Sequence, residues 1–103
     1  MLKSNLKNGQ VLETNGGDYF IVALNGLHRK VGWISGKFVV NIRNTDHIIP
    51  LCCYSEWLQN YGSDNLSIKK ILNEEEKRDV YNSLQTNYGK NAKQEDTEKV
   101  LGE

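Results

Sequence analysis

The stretch that most constrains this chain is the run Asp18-Tyr19-Phe20-Ile21-Val22-Ala23-Leu24, placed directly behind Asn15-Gly16-Gly17. Read as a strand, it puts Tyr19, Ile21 and Ala23 on one face and Phe20, Val22 and Leu24 on the other. Both faces are apolar, so the strand has to be covered on two sides and belongs at the centre of the fold. The Asn-Gly-Gly turn supplies residues that reach positive φ at low cost. It folds Val11, Leu12 and Glu13 back along the central strand as a hairpin.

Asn25-Gly26 follows at once and is a strong signal for a second tight turn. It predicts a third strand over residues 27–34, with Leu27, Val31 and Trp33 facing the core, Arg29 as the misfit, and His28, Lys30 and Gly32 facing solvent. After Ser35-Gly36, residues 37–43 alternate, which predicts a fourth strand with Phe38, Val40 and Ile42 inward. Four strands joined by short turns make a meander. Pro50 cannot donate a ladder hydrogen bond, so residues 47–51 are expected as an edge strand or extended connection.

Trp57, Leu58 and Tyr61 stand at helical spacing behind Ser55, a candidate N-cap, and predict one or two helical turns. Both Trp33 and Trp57 are expected in the core. Residues 66–72 alternate as a last strand with Leu66, Ile68 and Leu72 inward. Asn73, with Glu76 three residues on, signals a helix start, and Glu74-Glu75-Glu76 meets the positive end of the helix dipole. Val80, Leu84 and Tyr88, with Tyr81 beside them, form a narrow apolar stripe, and Gly89 is expected to end the helix. The polar residues 90–103 are expected to be a flexible tail.

The expected class is therefore mainly β (α+β), a small SH3-like antiparallel barrel over residues 1–73 with a short helical insertion, followed by a C-terminal helix over 74–89. An OB-like barrel is the alternative. Closure would remove the edge strands that invite aggregation.

A chain of 103 residues is one domain by size and long enough for a core without staples. No apolar run approaches the roughly 18 residues of a membrane span. Met1-Leu2 leads into the polar Lys3-Ser4-Asn5 with no apolar leader core, and Cys52 and Cys53 are adjacent, so a cytoplasmic protein is expected. Formal charge is zero, yet residues 1–73 carry eight Lys/Arg against five Asp/Glu, and residues 74–103 five against eight. Neither surplus makes the strong field of an obvious nucleic-acid binder.

The early Glu13-Thr14-Asn15-Gly16 with Tyr19-Phe20-Ile21-Val22, and the late Trp57-Leu58, Tyr61, Asp64, Leu66 and Ile68-Lys69-Lys70-Ile71, resemble small accessory proteins encoded by phages and mobile elements of Gram-positive bacteria. The resemblance spans about the first two-thirds of the chain and lies at the level of fold. Asn65, inserted between Asp64 and Leu66, and the helix after Asn73 stand outside that pattern. It implies a compact protein of a kind that includes inhibitors of host defence acting by binding.

Catalytic and cofactor signatures are missing. His28, His47, Cys52 and Cys53 are the side chains suited to zinc, but adjacent cysteines on a strand point to opposite faces and no metal site is expected. Cysteine catalysis would need a histidine beside the thiol and a group to orient it, which no surrounding motif provides. Asn15-Gly16-Gly17 lacks the spaced glycines and lysine of a phosphate cradle. Two binding classes remain. Protein binding, to a host protein or complex or to a second copy as a homodimer, would use Val80, Tyr81, Leu84 and Tyr88. Nucleic-acid binding would use Arg29, Lys30, Lys37 and Arg43, with Trp33, Tyr54 or Trp57 offered for base stacking. The first is the expectation: a non-catalytic inhibitor that blocks a bacterial defence or nucleic-acid-processing complex.

Overall fold

The computed structural model describes residues 1–95, and side chains as far as Leu84. It is mainly β, with two antiparallel sheets and a C-terminal helix. Contacts divide the chain into a unit over Met1–Leu72 and a second beginning at Asn73.

In the first unit, strands β1 (Val11–Thr14) and β2 (Tyr19–Ala23) pair across the Asn15-Gly16-Gly17 turn, with Leu12 opposite Phe20 and Val11 opposite Ile21. Gly17 takes a φ of +88°, and Thr14 closes the turn by accepting from the Asp18 N–H through its Oγ1 at 3.0 Å. The turn is tied down from outside, because the amides of Asn15 and Gly16 donate to the carbonyls of Ser67 and Asn65, both at 2.9 Å.

The second turn does not do what its dipeptide suggests. Asn25-Gly26 leads into β3 (Leu27–Arg29), which pairs only with β4 (Gly32–Ile34) as a separate two-stranded sheet. Strand β2 pairs instead with β5 (Phe38–Asn41), so the predicted meander is interrupted by a small hairpin looping out between its second and third strands. A hydrogen bond from the Gly26 amide to the Gly36 carbonyl, 2.9 Å, closes its base. Strand β6 (Ile48–Pro50) joins β5, and β7 (Ile68–Ile71) joins β1, giving the order β6-β5-β2-β1-β7. Pro50 thus sits in an edge strand, where its missing donor costs nothing.

The core gathers Leu12 from β1, Phe20 and Val22 from β2, Val39 from β5, Ile49 from β6 and Ile68 from β7. Leu6 from the lead-in, and Leu51, Tyr54 and Leu58 from the long connection between β6 and β7, complete it. The other sheet face carries Val11 and Val40, buried, with Ile21, Ala23, Phe38 and Ile48 half-buried. The Phe20 and Val22 face of the central strand is sealed in the core, whereas its Tyr19, Ile21 and Ala23 face is half-buried, so the cover expected on that second side is partial.

Two phases of alternation differ from expectation. In β5 it is Val39 and Asn41 that share the side of Phe20 and Val22, while Phe38 and Val40 lie on the opposite face. Asn41 is buried yet satisfied, its Oδ1 accepting from the amides of Arg43 and Asn44 at 2.9 and 3.1 Å to turn the chain out of the strand. In β7, Thr14 faces Ile68 and Glu13 faces Lys70, so Lys69 is an extra residue in the ladder. That bulge moves Ile71, rather than Leu72, onto the core side.

The helical turns expected around Trp57 are absent. Residues 51–67 instead hold one-turn 3₁₀ helices at Leu51–Cys53 and Asp64–Leu66, with a tight loop between them. Ser55 organises that loop: its Oγ accepts from the amides of Trp57 and Gln59, and its carbonyl accepts from the Leu58 amide. Leu58 is driven to a φ of +64°, a conformation that costs a non-glycine residue on the order of 1–3 kcal/mol. It is held there by complete burial in the core and by its carbonyl accepting from Ile68 at 2.9 Å.

The second unit begins with the predicted reciprocal cap: the Glu76 amide donates to Asn73 Oδ1 at 2.8 Å, and the Asn73 amide to Glu76 Oε1 at 3.0 Å. Helix α1 (Glu74–Glu95) runs through Gly89 rather than ending there, since one glycine costs a helix only about 1 kcal/mol. Of the expected tail, 90–95 is helical and the remainder lies outside the described residues.

Candidate binding surface

Trp33 and Trp57, both expected in the core, lie in the open together with Tyr61, whereas Tyr54, the third ring offered for base stacking, is fully buried. Trp33 is 59% exposed, Trp57 68% and Tyr61 74%, so neither tryptophan is a core residue. For Trp57 and Tyr61 the cause is the Ser55 loop: the geometry that sinks Leu58 turns its neighbours outward. For Trp33 the cause is the hairpin. Arg29 pairs with Gly32 across the two-residue loop Lys30-Val31, so the chain reverses where a continuous strand was expected. Leu27 then lies opposite Ile34, while Trp33 joins His28 on the other side, ring centroids 6.0 Å apart and edge to face. Val31 stands at the tip, 90% exposed.

The hairpin is pinned at two points. A Cβ on Gly26, whose φ is +87°, would come within 2.5 Å of the Trp33 indole, so only glycine lets that ring lie against the turn. Arg29 bridges to the turn that follows β5, donating to the Thr45 carbonyl at 2.9 Å and pairing with Asp46 at 3.1 Å. Between hairpin and turn lies an open groove of about 600 Å³, lined by His28, Arg29, Lys30, Val31, Ile34 and the pair Thr45-Asp46.

A second groove, about 670 Å³, lies between the lead-in and the β5–β6 end of the sheet, with Lys3, Lys37, Phe38, Leu51, Cys52 and Glu56 in its wall. Several of its polar groups serve the fold. Lys3 Nζ donates to the Tyr54 carbonyl at 2.8 Å. Glu56 accepts from the Ser4 hydroxyl and, at 3.1 Å, from its amide, which holds its carboxyl below the usual range. Tyr54, fully buried, donates its hydroxyl to the Leu66 carbonyl, and burial pushes that phenol above the ordinary tyrosine range.

The four basic residues do not form one stripe. Arg29 and Lys30 line the hairpin groove, Lys37 lines the other, and Arg43 lies over the Tyr19 ring at 5.9 Å. In α1, Val80 and Leu84 are half-buried and Tyr81 is 36% exposed. Tyr88 is helical in its backbone, but its side chain lies outside those described. His28 faces Trp33 and His47 meets Phe20 edge-on at 5.3 Å. Cys52 is exposed and Cys53 half-buried, and no group of three or more His, Cys, Asp or Glu gathers around a metal position among the described residues. No described helix is long and apolar enough to cross a membrane.

The exposed hairpin is what sequence reasoning missed. The signal available was Gly32, which takes a φ of +118° next to the loop, but Lys30-Val31 is a poor turn dipeptide and masked it. No family model matches the chain, and no curated protein or solved structure is significantly similar to it.

Proposed function

We propose that this is a non-catalytic binding protein that acts by docking on another protein. The observation that carries this reading is the outward placement of Trp33, Trp57 and Tyr61: large aromatic rings contribute most to a protein interface and gain nothing from water. Following the resemblance to phage and mobile-element accessory proteins, the target is a bacterial defence or nucleic-acid-processing complex, blocked in the cytoplasm. The helix stripe of Val80, Tyr81, Leu84 and Tyr88 is a second contact, to the target or to a second copy.

We also read the five-stranded ladder as the body of an SH3-like barrel. Support comes from residues 51–67, which run from the β6 edge to the β7 edge and place Leu51, Tyr54 and Leu58 in the same core as the inward-facing strand residues. Protein is favoured over nucleic acid as the partner because the basic residues are dispersed and Arg29 is spent on Asp46, whereas strand-tracking proteins line a continuous cationic groove.

The test is capture from nuclease-treated bacterial lysate at low and moderate salt, with bound proteins identified by mass spectrometry. One protein or complex retained at both salts, and lost when Trp33, Trp57 and Tyr61 are all replaced by Ala, is the expected result. Recovery of nucleic acid alone, and nothing after nuclease, overturns the reading.

A further inference from the structure

We infer that the groove under the β3–β4 hairpin takes an acidic segment of the partner protein with an apolar side chain at its centre. This rests on the binding-module reading and names the chemistry of its partner. A two-stranded hairpin on its own is marginal in water, and this one is outside the main ladder with its tip residue almost wholly exposed. Its lining is apolar at Val31 and Ile34 and cationic at Arg29 and Lys30. The one carboxylate in that lining, Asp46, is already paired with Arg29, and no carboxylate pairs with Lys30 among the described residues. A ligand's apolar side chain therefore meets Val31 and Ile34, and a flanking carboxylate meets Lys30. The groove's volume suits a few side chains rather than a folded domain.

A library of random 12-residue peptides displayed on phage, selected on the wild-type protein, tests this directly. Enriched peptides are expected to carry an Asp or Glu close to a Leu, Ile, Phe or Trp. Their affinity should fall with salt, drop at least about tenfold with Val31→Asp, and drop with Lys30→Glu while Lys30→Arg retains it. Both changed positions are exposed, and circular dichroism checks that the variants stay folded. Absence of enrichment, enrichment with no acidic bias, or equal binding to Val31→Asp overturns the proposal. So does binding of a 20-nucleotide oligo-dT that is lost in Lys30→Glu, which would make the ligand nucleic acid. Self-association of the wild type in sedimentation that is lost in Val31→Asp would assign the groove to a second copy and overturn it as well. If the lysate experiment yields the same target with wild type and Val31→Asp, the binding-module reading stands and this groove is wrong; if the wild type captures nothing, the module reading itself falls.

Discussion

The five-stranded ladder and the β3–β4 hairpin are built from similar residues and end in opposite conditions. Strand β2 offers Phe20 and Val22 to a core that seals them, whereas the hairpin offers Val31, Trp33 and Ile34 and leaves them exposed. The difference lies in neighbours rather than in hydrophobicity. β2 has a strand on each side, in β1 and β5, while β3 and β4 have only each other. A sheet face is buried only when something is laid over it, and two strands are too few to wrap around themselves. An apolar residue in the ladder therefore serves stability, and an apolar residue in the hairpin is available for recognition.

The sharpest way to break this comparison is to truncate one aromatic in each region. Phe20→Ala should cost about 3–5 kcal/mol, a large part of the stability of a domain this size, whereas Trp33→Ala should cost under about 0.5 kcal/mol. Urea denaturation followed by far-UV circular dichroism measures both, and comparable losses would mean that the hairpin belongs to the core. Leu58→Ala should fall next, at about 2–4 kcal/mol, because the lost burial exceeds any change in backbone strain at its positive φ.

Gly26→Ala is expected to cost about 1–2 kcal/mol, combining a strained φ with a Cβ driven into the indole. Its damage should be local: amide resonances of residues 27–34 should shift while those of the ladder stay in place. Asn73→Ala removes the helix cap and should lower helix stability by about 1 kcal/mol, read as reduced ellipticity at 222 nm, leaving the ladder untouched.

The smallest effect concerns acid. Hydrogen bonds from Ser4 lower the Glu56 pKa in the folded state, so the link between lead-in and Ser55 loop contributes stability above the ordinary glutamate pKa. That contribution is lost as pH falls through the depressed folded value, and Glu56→Gln should make the acid limb of the stability profile shallower.

The hairpin of β1 and β2 was legible because Asn15-Gly16-Gly17 and the alternation on either side agree. The helix start was equally legible, since Asn73 and Glu76 satisfy each other within one turn. The candidate surface was not. Alternation along one continuous strand puts Trp33 inside and helical spacing puts Trp57 there, yet whether a tryptophan is covered depends on how the chain actually turns and on residues far away in sequence. The helix stripe rests on its i, i+4, i+8 spacing.

By itself, then, the sequence determined what short-range chemistry can specify: the turn at Asn15-Gly16-Gly17, the two strands it joins and the cap at the start of the helix. Tertiary structure decided the rest. The pairing of β2 with β5 in place of β3, the bulge at Lys69 that reverses the phase of β7, and the loop that buries Leu58 while exposing Trp57 all depend on which strand lies next to which. Such choices are set by burying the largest apolar area across contacts distant along the chain, a sum that no local pattern of residues contains.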